Sequence, residues 1–297
     1  MYQRWIISSL SILLSIVVAA CSNVATSQPQ QVATTPTAPQ QTAQRVVALT
    51  PLSADIIYRL DQNKLVGIAG SSVLNKDSRF QDITSVAQGR TQPNLEIIVA
   101  LKPDLVIGAS GFSDQTLKRL QELKISTLAT KIDSWKALSE LTTSLAVRIG
   151  ASPKPLLDKY QQLLGQNTNT NKNTSALVLV SRQPILTPNK NSWAGDMLNQ
   201  FQIKNIAADL QGKSPFGGYV TLSPEKILEA NPESIILVNT PGSSEQEMID
   251  GFKKEIFWQK LQATQNNRVY VFDYLGLVNP GSIDAIEKAA GKLQKIT

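Results

Sequence analysis

The chain has 297 residues, a formal net charge of +6, a single cysteine and no histidine. The missing histidine excludes Ser-His-acid and Cys-His catalysis, imidazole zinc sites and histidine-ligated haem, and a lone cysteine leaves no internal disulfide. The lysines and arginines are scattered, with no basic run interleaved with aromatics, so the charge suits a mildly basic surface or an anion-accepting cleft rather than nucleic acid.

Arg4 and the apolar run Ile6 to Val18 predict an export signal over residues 1–20. At about 13 residues that run is shorter than the roughly 20 a spanning helix needs. Val18-Ala19-Ala20-Cys21 resembles a bacterial lipobox, in which Cys21 becomes the lipidated first residue of the mature protein. Residues 21–44 are rich in Thr, Gln, Pro and Ala, carry no charge and show no apolar period, which predicts a flexible tether. The remaining chain is long enough for two domains that bury roughly 70% of their unfolded surface.

Over 45–133 the run Arg45 to Leu49 predicts a strand, halted by Thr50-Pro51, with Ser53 capping a helix Ala54 to Leu60. Strands follow at Leu65 to Ala69, Leu105 to Ile107 and Thr127 to Ala129, alternating with helices at Leu95 to Leu101 and Leu117 to Leu123. Such alternation indicates a mostly parallel sheet flanked by helices. Over 134–166, Leu138, Leu141, Leu145 and Ile149 keep helical spacing, Gly150 and Pro153 interrupt it, and Leu156, Leu157, Tyr160 and Leu164 resume it. The expectation there is one long kinked helical segment bridging two lobes. The second lobe, 167–297, is expected to hold strands at Ala176 to Val180, Ile235 to Val238 and Val269 to Phe272, with helices at Met197 to Phe201 and Ile283 to Leu293.

Asn94 to Ile107 and Ser223 to Ile236, about 130 residues apart, follow one template of short helix, early Glu, Pro stop and buried strand, which points to two similar α/β lobes. Two lobes imply a cleft, a preferred place for a small-molecule site. Open α/β sheets bind ligands at the carboxyl ends of their strands, which selects the loops Thr50 to Ser53, Gly70 to Val73, Gln88 to Gln92 and Ala109 to Phe112 in the first lobe. In the second they are Ser181 to Trp193, Phe216 to Thr221, Thr240 to Ser243 and Tyr274 to Asn279. Ser53, Arg90 and Arg182, with Trp193, Tyr219 and Tyr274, are the candidate ligand contacts: guanidinium groups suit carboxylate or hydroxamate oxygens and aromatics cover an apolar body. Each could also be an ordinary solvated or core residue. The acids fall mostly on solvated helix faces, and no spacing singles out a catalytic pair.

Taken with Arg45 to Pro51, Leu65 to Ile68, Pro93 to Val106 and Asn267 to Val271, the chain resembles the ABC-transporter substrate-binding proteins for ferric siderophores and cobalamin, whose lobes are joined by a long helix. The resemblance implies a two-lobed α/β receptor with a cleft between its lobes, a monomer that performs no chemistry and needs no cofactor of its own. It implies that Glu96 and Glu225 dock on a membrane permease. Because Gln88-Gly89-Arg90 stands where cobalamin binders tend to place an aromatic, it further implies a ferric siderophore or ferric carboxylate chelate, with the iron held by the chelator and Arg90 on the iron-bound oxygens. Cobalamin is the alternative within the class. An exported carboxylate enzyme, or a lipoprotein serving only as an interaction module, lies outside it.

Overall fold

The computed structural model describes residues 42–71, 73–87, 91–165, 174–211, 217–239 and 244–296. The expected signal, Cys21, nearly all of the expected tether, and Arg90 lie outside these residues. Ala43, at the end of that tether, is already buried, its amide donating to Arg148 O at 2.7 Å. Among the described residues no helix is long and apolar enough to cross a membrane.

The first lobe contains β1 (Val46–Ala48), α1 (Pro51–Asp61), β2 (Leu65–Ala69), β3 (Thr84–Ala87), α2 (Leu95–Ala100), β4 (Leu105–Ala109), α3 (Asp114–Glu122) and β5 (Thr127–Thr130). Its sheet is wholly parallel in the order β3-β2-β1-β4-β5. Strand β1 is therefore central, and the chain crosses first to one side of it and then to the other. The helix after β1 starts earlier than Ser53 suggests. Thr50, not Ser53, is the cap: its Oγ1 accepts from Ser53 N, and Pro51 opens the helix with a preset φ.

Two helices follow, α4 (Trp135–Ile149) and α5 (Lys154–Gly165). A single continuous helix would separate Trp135 from Tyr160 by about 37 Å, yet their rings meet edge to face at 6.2 Å. The segment is thus a helical hairpin rather than one kinked helix. Gly150 ends α4 in the left-handed region at φ 71°, and Pro153 bars immediate resumption.

The second lobe runs through β6 (Ser175–Leu179), β7 (Ser181–Arg182), β8 (Ile185–Pro188), α6 (Trp193–Gln200), β9 (Lys204–Asn205), β10 (Tyr219–Thr221), α7 (Pro224–Ala230) and β11 (Ser234–Asn239). It closes with α8 (Glu245–Lys254), α9 (Ile256–Gln259), α10 (Gln262–Gln265), β12 (Val269–Asp273), α11 (Tyr274–Leu277) and α12 (Ile283–Leu293). Its main sheet is parallel, β12-β11-β6-β9, beside a small antiparallel sheet β10-β8-β7 that the sequence did not suggest.

Strand periodicity explains how the lobes join. Val46, Ala48, Leu105 and Ile107 of the first sheet share one apolar cluster with Ala176, Val178, Ile236 and Val238 of the second, through α1, α4, α5, α6 and α12. The alternate residues face outward: Val47 and Val106 pack under Ile98 and Leu117, while Leu177, Ile235 and Leu237 pack under Ile227, Phe252 and Trp258. The inner face of each sheet thus belongs to a core common to both lobes, which leaves little freedom for one lobe to swing against the other.

Candidate ligand-binding cleft

In the order β3-β2-β1-β4-β5 the topological switch point lies between β1 and β4, and a cavity of about 340 Å³ opens there. Leu49 to Ser53 line it from the end of β1, Ala109, Phe112 and Ser113 from the end of β4, and Thr130 and Ile132 from the end of β5. Asn279 and Pro280 form its wall from the second lobe. The lining is apolar in body, with hydroxyl groups and one carboxamide as its polar points. The Phe112 ring is 88% exposed.

Local geometry sets each polar group. Thr50 Oγ1 donates to Ser53 Oγ at 2.8 Å, so both hydroxyls are held at the start of α1, where Pro51 has no N–H and Ser53 N already donates to Thr50 Oγ1. Ser113 Oγ accepts from Ala109 N at 3.2 Å and closes the turn after β4. That turn needs Gly108, because a Cβ there would lie 2.5 Å from Ser113 Cβ. Thr130 Oγ1 donates to Gly108 O at 3.1 Å. The second-lobe wall is a tight loop: Gly276 N donates to Asn279 O at 2.6 Å, Asn279 N to Tyr274 O at 3.0 Å, and Gly281 N to Asn279 Oδ1 at 3.0 Å. Gly276 has φ 96° and lies against Ala285 O, a place no side chain could take.

The candidate residues divide. Ser53 lines the cavity. Tyr219 and Tyr274 flank its second-lobe wall: the Tyr219 hydroxyl is 3.5 Å from Val278 O, next to Asn279, and Tyr274 is 41% exposed. Burial, then the neighbouring Tyr274, pushes the Tyr219 phenol well above its ordinary range, so it stays a neutral donor. Trp193 is a correction. It is 2% exposed, stacks on Trp135 at 5.8 Å and donates its indole N–H to Gly276 O at 2.7 Å. It supports the wall from behind instead of touching a ligand. Arg182 is a second: it does not line the cavity, and its guanidinium pairs with Glu255, where β7 meets the α8–α9 junction. The sequence pattern does not point to Thr130, Ile132 or Pro280, and it does not single out Phe112 or Asn279, although both stand at the edges of loops selected from strand order.

Glu96 and Glu225 occupy the first turns of α2 and α7 and are exposed. The Glu225 carboxyl is held below its ordinary range by its own backbone N–H and by the Ser223 hydroxyl.

Residues 46–274 match the model of the periplasmic binding protein family, and the chain belongs to that family, in the class of substrate-binding proteins that serve ABC transporters. Members of this class bind and deliver; the chain is not an enzyme. Among similar proteins, the uncharacterized ABC transporter substrate-binding lipoprotein YvrC of Bacillus subtilis is 26% identical over 265 residues, covering 83% of this chain and 78% of that protein. The iron-uptake system-binding protein of the same organism is 27% identical over 212 residues, covering 65% of this chain and 63% of that protein. In fold, the vitamin B12 binding protein BtuF of Vibrio cholerae matches with a TM-score of 0.65 and 22% identity, covering 86% of this chain and 96% of that one.

Proposed function

We propose that this protein is a lipid-anchored, extracytoplasmic receptor that captures a ferric siderophore or ferric carboxylate chelate between its lobes and delivers it to an ABC permease. The observation that carries this reading is the switch-point cavity, with apolar walls from both lobes and hydroxyl groups gathered at the start of α1. Such walls suit the organic body of a chelate. A chain with no histidine and one cysteine offers few soft or imidazole ligands to a bare transition metal, which favours iron that arrives with its own chelator. The iron-uptake relative supports the same choice, and the lipoprotein relative supports an anchor at Cys21. On this reading Arg90 contacts the iron-bound oxygens, and Glu96 and Glu225 meet the permease.

Cobalamin is a second reading, favoured by the exposed ring of Phe112 and the apolar lining, which would suit a large macrocycle, and by the fold of the vitamin B12 binder. Melting of the purified protein against ferric chelates, the same chelators without iron, and cobalamin separates the two. A ligand at a hundred times its Kd adds about 2.7 kcal/mol to the folded state. An upward shift with a ferric chelate, absent without iron, is the expected outcome; a shift with cobalamin alone would replace the first reading by the second.

A further inference from the structure

Close in the chain to two of the cavity's walls, at α1 and just after the Asn279–Pro280 loop, a carboxylate is buried between the lobes. Asp55 of α1 is fully buried. Its Oδ1 accepts from Arg59 Nε at 2.9 Å and from Arg79 at 3.0 Å, both in the first lobe. Its Oδ2 accepts the backbone N–H of Ile283, the first residue of α12 in the second lobe, at 2.7 Å. The two arginines then reach across: Arg59 bonds Asp284 Oδ1 at 2.7 Å and Arg79 bonds Asp284 Oδ2 at 2.9 Å. Asp77 grips the guanidinium of Arg79 through two oxygens, and the guanidinium lies over the rings of Tyr58 and Phe80 at 5.8 and 5.4 Å. Both cations are therefore fixed before the second lobe is considered.

A buried carboxylate is costly unless every lone pair is used, and stability alone does not account for it, since apolar packing of the same volume often serves as well. What the arrangement supplies is register. Asp55 satisfies an orphan amide at the start of α12, and Asp284 sits in that helix's first turn, where negative charge is favoured. Ser53 is two residues before Asp55, and Pro280 three before Ile283, so each cavity wall is tied directly to one side of the network.

We propose that Asp55 is a positioning residue of the binding cleft: by receiving the first amide of α12 and orienting Arg59 and Arg79 toward Asp284, it sets the Asn279–Pro280 wall against the Thr50–Ser53 wall before ligand arrives. The consequence for binding rests on the reading of this cavity as the ligand site; the latch itself does not. A preset wall reduces the ordering that binding would otherwise have to supply.

Hydrogen exchange of the whole, ligand-free protein tests it. In Asp55→Asn, which keeps an oxygen acceptor but loses the charge, amides over 276–286 should exchange at least about tenfold faster, while β1, β4, β6 and β11 change by less than about twofold. Asp284→Asn, altered at an exposed side chain, should loosen the same segment by about threefold, and carries the test if Asp55→Asn does not fold. Unchanged exchange over 276–286, or an equal rise in the sheets, would overturn the proposal by showing either no latch or a general loss of stability. Because no ligand is present, a failure here is distinct from a failure of the ferric-chelate reading, which the melting panel reports.

Discussion

The two repeated units, Asn94 to Ile107 and Ser223 to Ile236, share a layout but are closed by different chemistry. In both, one Ile is fully buried beneath the helix, Ile98 against the first sheet and Ile227 against the second. In both, a left-handed residue precedes the proline, Lys102 at φ 47° and Asn231 at φ 35°. The acids after the prolines play matching parts. Asp104 accepts the amides of Gln44 and Arg45 at the entry to β1, and Glu233 accepts the amide of Ser175 at the entry to β6. Asp104 works with two backbone donors at the surface. Glu233 works with one, half-buried, with the Ser175 hydroxyl as a return partner to its own amide at 3.0 Å. The repeat is thus a device for pinning the first strand of a lobe through the acid after the proline. No ion pair among the described residues engages either early Glu; the Glu225 carboxyl is held by its own backbone N–H and the Ser223 hydroxyl.

If the two units are equivalent in packing, Ile98→Ala and Ile227→Ala should each cost about 2 to 5 kcal/mol, since both leave a cavity under a helix that covers a sheet. Denaturant melts of the two variants check this, and a difference well beyond the spread between them would mean that one lobe carries the stability of both. The acids come next. Glu233→Ala should cost about 2 kcal/mol and Asp104→Ala about 1 kcal/mol, because a half-buried charge-assisted bond is worth more than two solvated ones. A larger loss in Asp104→Ala would show that donor number, not burial, decides the matter.

How much of this was legible in the sequence depended on whether the signal was local. The template was legible because its helix, stop and strand are each written within a few residues, and so were the parallel strands, whose apolar runs are buried on both faces. The switch-point loops after β1 and β4 followed from strand order. The shared core did not. Asp55 and Arg59, opposite charges four residues apart, carry the common surface pattern; Arg79 and the start of α12, both distant in the chain, are what close around Asp55. Trp193 was misplaced for a similar reason, as an aromatic near a strand end looks like a ligand contact until Trp135 and Gly276 are seen to enclose it. The antiparallel sheet leaves no sequence signal because β7 and β10 have two and three residues, too short to show a period.

At the surface the comparison predicts symmetry of another kind. Val99 and Leu228 stand three residues after the early Glu in each unit, on the same helix face, and are 41% and 39% exposed. Replacing either by Ser should shift stability by no more than about 0.5 kcal/mol. The double change Glu96→Lys with Glu225→Lys should leave stability nearly unchanged, since both acids are exposed in a first helical turn, while uptake by cells falls if both lobes dock on one permease. Unchanged uptake at full ligand-induced stabilisation would remove the docking role from these residues.

The smallest effect separates the two helix starts themselves. Ser223 both caps α7 and bonds to the Glu225 side chain, whereas Asn94 uses its carboxamide oxygen on the amides of Glu96 and Ile97. A carboxyl whose folded pKa is depressed adds stability above its unfolded pKa, and that contribution disappears as pH falls through the folded value. For Glu225 the window therefore begins in the ordinary glutamate range and extends below it. Carboxyl NMR titration should place Glu225 below that range, and Ser223→Ala should move it back upward, though not the whole way, because its own amide remains. If Ser223→Ala leaves the titration unmoved, the backbone N–H alone holds the charge, and the two helix starts differ in their caps but not in how they present an acid to a partner.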